Sequence, residues 1–319
     1  MSFLTIENLS AHVGPSPILR DVSLSVEAGE VRGLVGESGA GKSMIGKAVL
    51  GTLPLAVQVS SGRILLDGED LLAMRPRDRR RVIGAKAALI PQDPLTALNP
   101  SRRVGPQITN RLVDILGWTR QDAQMRALEL LHEVSIPEPE RVMRAYPHEL
   151  SGGMRQRILI ASAFAAEPRL IIADEPTTAL DVTVEAGIVE LIGQIAEKYN
   201  TSMVYISHNL GLILETCDRV NVMYSGVVVE HGAVGEVFDQ MRHPYTKGLF
   251  GCIPLPGADK TARPLVPIRG QLPLPHQRPT GCYFGPRCDF FKAGTCDVEG
   301  LAMTPIPDEP GHVVRCRLW

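Results

Sequence analysis

Gly36-Glu37-Ser38-Gly39-Ala40-Gly41-Lys42-Ser43 is the stretch from which the rest of the chain can be read. Its spacing is G-x-x-x-x-G-K-S. The short apolar strand Glu30 to Val35 leads into it, and a helix follows with Met44, Ile45, Ala48 and Val49 on one face. Strand, Gly-rich turn and helix is the context in which this pattern holds phosphate. The glycines let the N–H groups of residues 36–41 wrap an anion, and the helix N-terminus adds partial positive charge. Lys42 is expected to reach the β- and γ-phosphates of ATP, and the Ser43 hydroxyl to ligate Mg²⁺. The complete pattern in this context sets aside a Gly-rich turn of no function.

Two later segments extend the reading. Leu170-Ile171-Ile172-Ala173-Asp174-Glu175 is an apolar strand ending in two carboxylates. Asp174 fits a Mg²⁺-holding role, and Glu175 fits the group that takes a proton from, or orients, the water attacking the γ-phosphate. Acidic strand ends are common; after a P-loop they gain this meaning. Leu150-Ser151-Gly152-Gly153-Met154-Arg155-Gln156-Arg157 opens a second helix whose first N–H groups are free, a second anion site. A plain Ser N-cap does not explain why the turn has this sequence. The segment resembles the signature motif of ABC transporter ATPases, and all the motifs stand in that family's order over residues 1–235.

The resemblance implies further roles. Ser151, Gly152, Gly153 and Gln156 would face the nucleotide of a second subunit. Gln92 resembles the Q-loop glutamine, which contacts Mg²⁺ or the attacking water and senses membrane subunits. Ala179-Leu180-Asp181 resembles the D-loop, and His208 the switch histidine at the γ-phosphate. The family stacks adenine on an aromatic residue before the P-loop; alignment on Val22-Ser23-Leu24 places Val13 there, with His12 beside it. In the family, ATP lies between one subunit's P-loop and the other's signature. The chain has one of each, so it pairs with a second copy or, preferentially, with a homologous ATPase. Two transmembrane permeases and a periplasmic or extracytoplasmic binding protein complete the expected partners.

Strands alternating with helices imply an α/β fold with a parallel sheet at its core, and the resemblance makes this a P-loop, RecA-like ABC ATPase domain over residues 1–235. It would carry an antiparallel β subdomain and a helical subdomain at about 93–165, where Ala127, Leu130, Leu131 and Val134 form one stripe. Residues 61–72 read as an edge strand with a turn at Asp67-Gly68. Val220–Tyr224 and Val227–Glu230 flank Ser225-Gly226, a hairpin signal. Beyond residue 235 prolines multiply, and residues 236–319 read as a small, loop-rich appended domain.

That tail narrows the resemblance. Gln92-Asp93-Pro94-Leu95-Thr96-Ala97-Leu98-Asn99-Pro100, His243-Pro244-Tyr245-Thr246-Lys247-Gly248-Leu249 and Gly281-Cys282-Tyr283-Phe284-Gly285-Pro286-Arg287-Cys288 resemble stretches of oligopeptide and dipeptide importers. Related members take nickel complexes or oligosaccharides. Cys282, Cys288, Cys296 and Cys316 are spaced C-x5-C-x7-C-x19-C. Four thiolates suit an iron–sulfur cluster or zinc; the long loops, and the resemblance, favour a four-iron four-sulfur cluster over zinc. Cys217 and Cys252 read as small apolar residues. Since the nucleotide motifs end at His208, hydrolysis is expected to survive damage to the tail cysteines.

The bulk properties agree. With 319 residues the chain has room for two or three domains. A formal net charge of -2 gives no overall field for nucleic acid. The basic run Arg75 to Arg81 is a solvated surface or a contact with a partner or lipid heads. Met1 to Ser10 lacks the pattern of a signal peptide, and no apolar run approaches the roughly 20 residues that span a bilayer. The expected location is the cytoplasmic face of the membrane, held there by the permeases. A non-transport ABC ATPase is the remaining alternative; such proteins usually carry long insertions, tandem ATPase halves or basic surfaces.

Overall fold

The computed structural model describes residues 2–177, 182–252 and 267–319, with the side chains of residues 182–184 and 310 excepted. The chain begins with a hairpin, β1 (Ser2–Val13) and β2 (Ser16–Glu27), followed by β3 (Val31–Val35), α1 (Lys42–Val49), β4 (Val57–Leu66) and β5 (Glu69–Asp70). Next come α2 (Pro76–Lys86) and β6 (Ala87–Ile90), then the helical run α3 (Pro94–Ala97), α4 (Val104–Asn110), α5 (Arg120–Glu133), α6 (Pro139–Arg144) and α7 (Gly152–Phe164). The core resumes with β7 (Leu170–Asp174), α8 (Val182–Lys198), β8 (Ser202–Ile206), α9 (Leu210–Thr216), β9 (Arg219–Tyr224) and β10 (Val227–Ala233). The tail contributes α10 (Val234–Gln240), α11 (Pro244–Gly251), β11 (Thr304–Ile306) and β12 (Glu309–Val314).

Two sheets result, ordered β2-β1-β4-β5 and β11-β12-β10-β9-β3-β8-β7-β6. The second is parallel from β9 through β6. β3, β7 and β8 are short runs of buried residues, as strands covered on both faces must be. Because they are parallel and in register, the ends of β3, β8, β7 and β6 open on one edge, where ligands of such sheets bind. In the helical layer Ala127, Leu130, Leu131 and Val134 are fully buried, each leucine contributing about 1.5–3 kcal/mol of burial. The basic helix α2 buries none of its residues.

At the Ser225-Gly226 turn both residues have positive φ, 47° and 83°, and Tyr224 pairs with Val227. This is the geometry of a two-residue hairpin whose twist matches its strands. Residues 61–66 do not form an edge: β4 lies between β1 and β5, with Leu4 opposite Leu66, and the edges are β2 and β5. Nor is the tail wholly separate from the core. β12 pairs with β10, Glu230 opposite Val314, and β11 adds a further strand. Prolines within both strands mask their pattern in the sequence; Pro305 lies in β11, the edge strand, where a missing N–H is tolerated.

A buried ion pair fastens this join. Glu230 and His312 are both fully buried and meet at 2.7 Å, and His312 also reaches Glu309 at 3.0 Å. The N–H groups of Arg242 and His243 donate to the same Glu230 carboxylate, so it holds the start of α11 as well. Burial opposes the charge on His312, but its two carboxylate partners outweigh burial and raise its pKa above the ordinary 6.5. Burial likewise opposes the charge on Glu230, but the hydrogen bonds from His312, Thr246 and the N–H groups of His243 and Arg242 together outweigh it, holding the carboxyl below the ordinary 4.5. A raised histidine stabilises below its unfolded pKa and loses that contribution as pH rises through the folded one; a depressed carboxylate loses its contribution as pH falls through its folded one. The pair therefore supports the join between those two limits. His312→Ala should cost about 3–5 kcal/mol, because it strands a buried carboxylate. Urea midpoints should fall from neutral to alkaline pH in the wild type and lose that part of the dependence in His312→Gln.

Candidate nucleotide site

The P-loop joins β3 to α1. At Gly36 the backbone has φ 149°, and a Cβ there would lie 2.2 Å from the carbonyl oxygen of Met223, so no side chain fits. Lys42, 5% exposed, folds back into the loop and donates to the carbonyls of Gly36 at 2.7 Å and Glu37 at 3.2 Å. Burial lowers its pKa, against the pull of Glu175, Asp174 and Glu37. Ser43 Oγ donates to Asp174 Oδ1 at 2.8 Å, joining the first turn of α1 to the end of β7. Burial raises the pKa of Asp174, and neighbouring Glu175 adds to the rise, while the Ser43 bond works against it. A hydroxyl and a carboxylate thus stand side by side beneath the loop, a donor pair that suits a hard divalent cation.

Glu175 follows directly on β7. Its φ is 48°, an uncommon conformation for a non-glycine residue. Its N–H donates to the Ile206 carbonyl at the end of β8 at 2.9 Å, which fixes the turn. Gln92 Nε2 donates to its Oε2 at 3.0 Å, and His208 Nδ1 lies 3.2 Å from the same oxygen. Gln92 follows β6 and His208 follows β8, so three adjacent strand ends converge on one carboxylate. The three residues singled out in the sequence as catalytic are together.

Ser151 caps α7, its Oγ accepting from the Met154 N–H at 3.3 Å. It is exposed, and open space lies beside Gly152 and Gly153. Gln156, grouped above with nucleotide-facing residues, turns inward instead. It is 1% exposed and donates to the Pro176 carbonyl at 2.7 Å, so it ties α7 to the turn after Glu175. On a helix, position 156 lies more than one turn beyond the cap and faces the core. Val13 ends β1 at the hairpin tip, opposite Ser16 and Val57, half-buried. Beside it, His12 Nδ1 donates to the Gly14 carbonyl at 2.9 Å. Ala179-Leu180-Asp181 lies outside the described residues.

Two contacts to the P-loop come from the tail. Arg287 forks onto the Glu37 carboxylate at 2.7 and 2.9 Å. The Glu37 N–H donates to the Tyr245 hydroxyl at 2.8 Å. Nothing in the sequence pairs residues this distant, although both stand inside tail stretches already singled out. The premise that the nucleotide motifs stand apart from the tail therefore fails.

Cys282, Cys288, Cys296 and Cys316 line one small cavity, walled in part by Phe284 and Phe291. Burial pushes the Cys282 thiol up to about 11, and it also raises Cys288 and Cys316. The expected metal-binding set is not assembled, however: among the described residues no three His, Cys, Asp or Glu side chains are placed to hold a metal ion. Sequence spacing brings the thiols to one cavity but does not fix the distances between them.

Comparison with known proteins agrees with this geometry. Residues 19–178 match the family described as ABC transporter, and residues 229–296 match the oligopeptide/dipeptide transporter C-terminal region. The chain is 40% identical over 320 residues to the dipeptide transport ATP-binding protein DppD of Escherichia coli K12, covering 99% of this chain and 96% of that protein. It is 41% identical over 327 residues to the oligopeptide transport ATP-binding protein AppD of Bacillus subtilis 168, covering 100% and 97%. Among solved structures, cbiO1 of Clostridium perfringens, part of an ABC transporter complex, superposes with a TM-score of 0.65 at 26% identity, covering 75% of this chain and 92% of that one. Fold, strand-end constellation and full-length likeness coincide: the chain is an ABC ATPase and belongs to the ATP-binding subunits of the oligopeptide/dipeptide transporter family.

Proposed function

We propose that this subunit hydrolyses ATP to drive import of dipeptides or oligopeptides, working with a homologous ATPase, two membrane permeases and an extracytoplasmic binding protein. The observation that carries the catalytic part is the convergence of Gln92, Glu175 and His208 beside the Ser43–Asp174 pair. The tail match and the names of the relatives support the peptide class. Nothing in this reading asks the chain to touch the peptide. Among the described residues no helix is long and apolar enough to cross a membrane, so the permeases would hold the subunit at the cytoplasmic face.

The residues divide the work. Lys42 leaves the carbonyls of Gly36 and Glu37 for the β- and γ-phosphates, and the loop N–H groups of residues 38–41 hold the rest of the chain of phosphates. Ser43, Asp174 and Gln92 would hold Mg²⁺, which supplies neutralisation of the phosphate charge when bound. Glu175 accepts the proton of the attacking water; Gln92 and His208 keep its carboxylate at the strand ends. Ser151, Gly152 and Gly153, at the start of α7, would close on the ATP of the partner ATPase. Adenine would either stack on His12 or be held near Val13 by weaker apolar contact. Import of nickel complexes or oligosaccharides would use the same ATPase chemistry, the choice lying in the binding protein and permeases.

For the tail, the reading includes an iron–sulfur cluster on Cys282, Cys288, Cys296 and Cys316. The shared cavity supports it. Loading would require the four sulfurs to close in from their present places.

Two measurements test these points. Glu175→Gln should keep ATP affinity and slow hydrolysis by the assembled transporter by roughly 10²–10⁴; turnover near wild type would overturn the assignment. Protein prepared without oxygen should carry about four iron and four acid-labile sulfide per chain, as a cubane cluster requires. One zinc without sulfide would replace the cluster, and no metal would remove the site.

A further inference from the structure

Residue 37 is pinned on three sides. Its N–H donates to Tyr245 of α11, its carbonyl accepts from Lys42, and its carboxylate is gripped by both terminal nitrogens of Arg287. Two of these three partners belong to the tail. Arg287 is itself fixed: its side chain is 5% exposed, its Nε donates to the Arg269 carbonyl at 2.8 Å, and its guanidinium lies 5.8 Å from the Tyr224 ring centre and 5.9 Å from that of Phe284. Tyr224, Tyr245 and Phe284 pack on one another with ring centres 4.7–5.4 Å apart, which joins β9, α11 and the cysteine-bearing turn under the loop. A further tail residue, Leu272, lies over the loop, with its Cδ2 3.4 Å from where a Cβ on Gly39 would stand.

A carboxylate inside a phosphate-binding loop poses an electrostatic problem. ATP brings several negative charges to the same loop, and like charges at such range repel. A buried, forked arginine answers it twice: it cancels the carboxylate charge, and its planar geometry fixes where residue 37 sits. A loop already held in place also loses less freedom when the nucleotide arrives. We propose that Arg287 is a positioning residue for ATP, acting through Glu37, so that the cysteine-bearing turn of the tail is part of the nucleotide site. Arg287 immediately precedes Cys288, and Phe284, Gly285 and Cys288 of the same turn line the cysteine cavity. The inference rests on ATP binding at the P-loop.

Mg-ATP affinity of the full chain, measured by titration calorimetry, tests it in a mutant cycle. Arg287→Ala should weaken ATP binding by about 10- to 100-fold, the loss expected for a charge-assisted forked pair. Arg287→Lys, which restores the charge without the fork, should recover part of that loss. In a Glu37→Gln background, where no carboxylate needs neutralising, adding Arg287→Ala should cost less than about threefold, as a shared interaction requires. Wild-type affinity in Arg287→Ala, or an equal loss in both backgrounds, would overturn the proposal. Should Arg287→Ala fail to fold, Arg287→Gln, which keeps a donor for the Arg269 carbonyl, takes its place with the same outcomes. Lys42→Ala in the same assay separates the two readings. Weakened binding there with no Arg287 effect refutes only the positioning role; unchanged binding there refutes the P-loop reading and the positioning role together.

Discussion

The 2.8 Å hydrogen bond from Ser43 to Asp174 ties the P-loop helix to the neighbouring end of the parallel sheet. It can form because β3, β8 and β7 run side by side in one direction, so that chain segments more than a hundred residues apart end at the same edge. From that edge everything else in the site follows. One residue past Asp174, the backbone turns through a left-handed conformation at Glu175. Gln92 and His208, each just beyond its own strand, then meet the Glu175 carboxylate from the two flanks. An antiparallel arrangement of the same strands would scatter these residues to opposite edges.

Much of this was legible in the sequence, for a physical reason. The P-loop, Asp174, Glu175 and the signature turn are local patterns whose backbone geometry depends on residue type and spacing alone. Buried parallel strands such as Leu170–Asp174 announce themselves as short apolar runs, and the Ser225-Gly226 hairpin by its turn residues. What escaped was long-range. The position of β4 inside its sheet depends on β5, a strand of two residues. Val314 pairs with Glu230 across more than eighty residues, under a composition that reads as loop. Gln156 stands within a motif that faces outward, yet its own helical position faces the core, and the pattern of the motif does not reveal the difference. Arg287 stands inside a singled-out stretch, but nothing there points to a partner 250 residues away.

The tail changes meaning once these contacts are known. Its composition, rich in proline and cysteine, suggests an appendage. Its contacts make it a buttress: β12 extends the ATPase sheet, the Glu230–His312 pair locks that extension, and Tyr245 and Arg287 reach the P-loop. A subunit built this way carries its nucleotide loop between the core sheet and the tail, so strain or ordering in the cysteine-bearing turn has a short path to the phosphates. The turn that lines the cysteine cavity is itself bonded to the P-loop.

The exposed start of α7 bears most directly on the central claim, that this ATPase completes its sites only by pairing with another. Ser151→Ala should leave the Mg-ATP affinity of the isolated chain unchanged if, as proposed, the Ser151 turn serves the nucleotide on the opposite subunit. The same change should slow hydrolysis by the assembled two-ATPase transporter by at least about tenfold, as loss of a phosphate-side donor does. Weakened ATP binding by the isolated chain, with hydrolysis falling only in proportion, would place the signature on the chain's own P-loop and contradict the account.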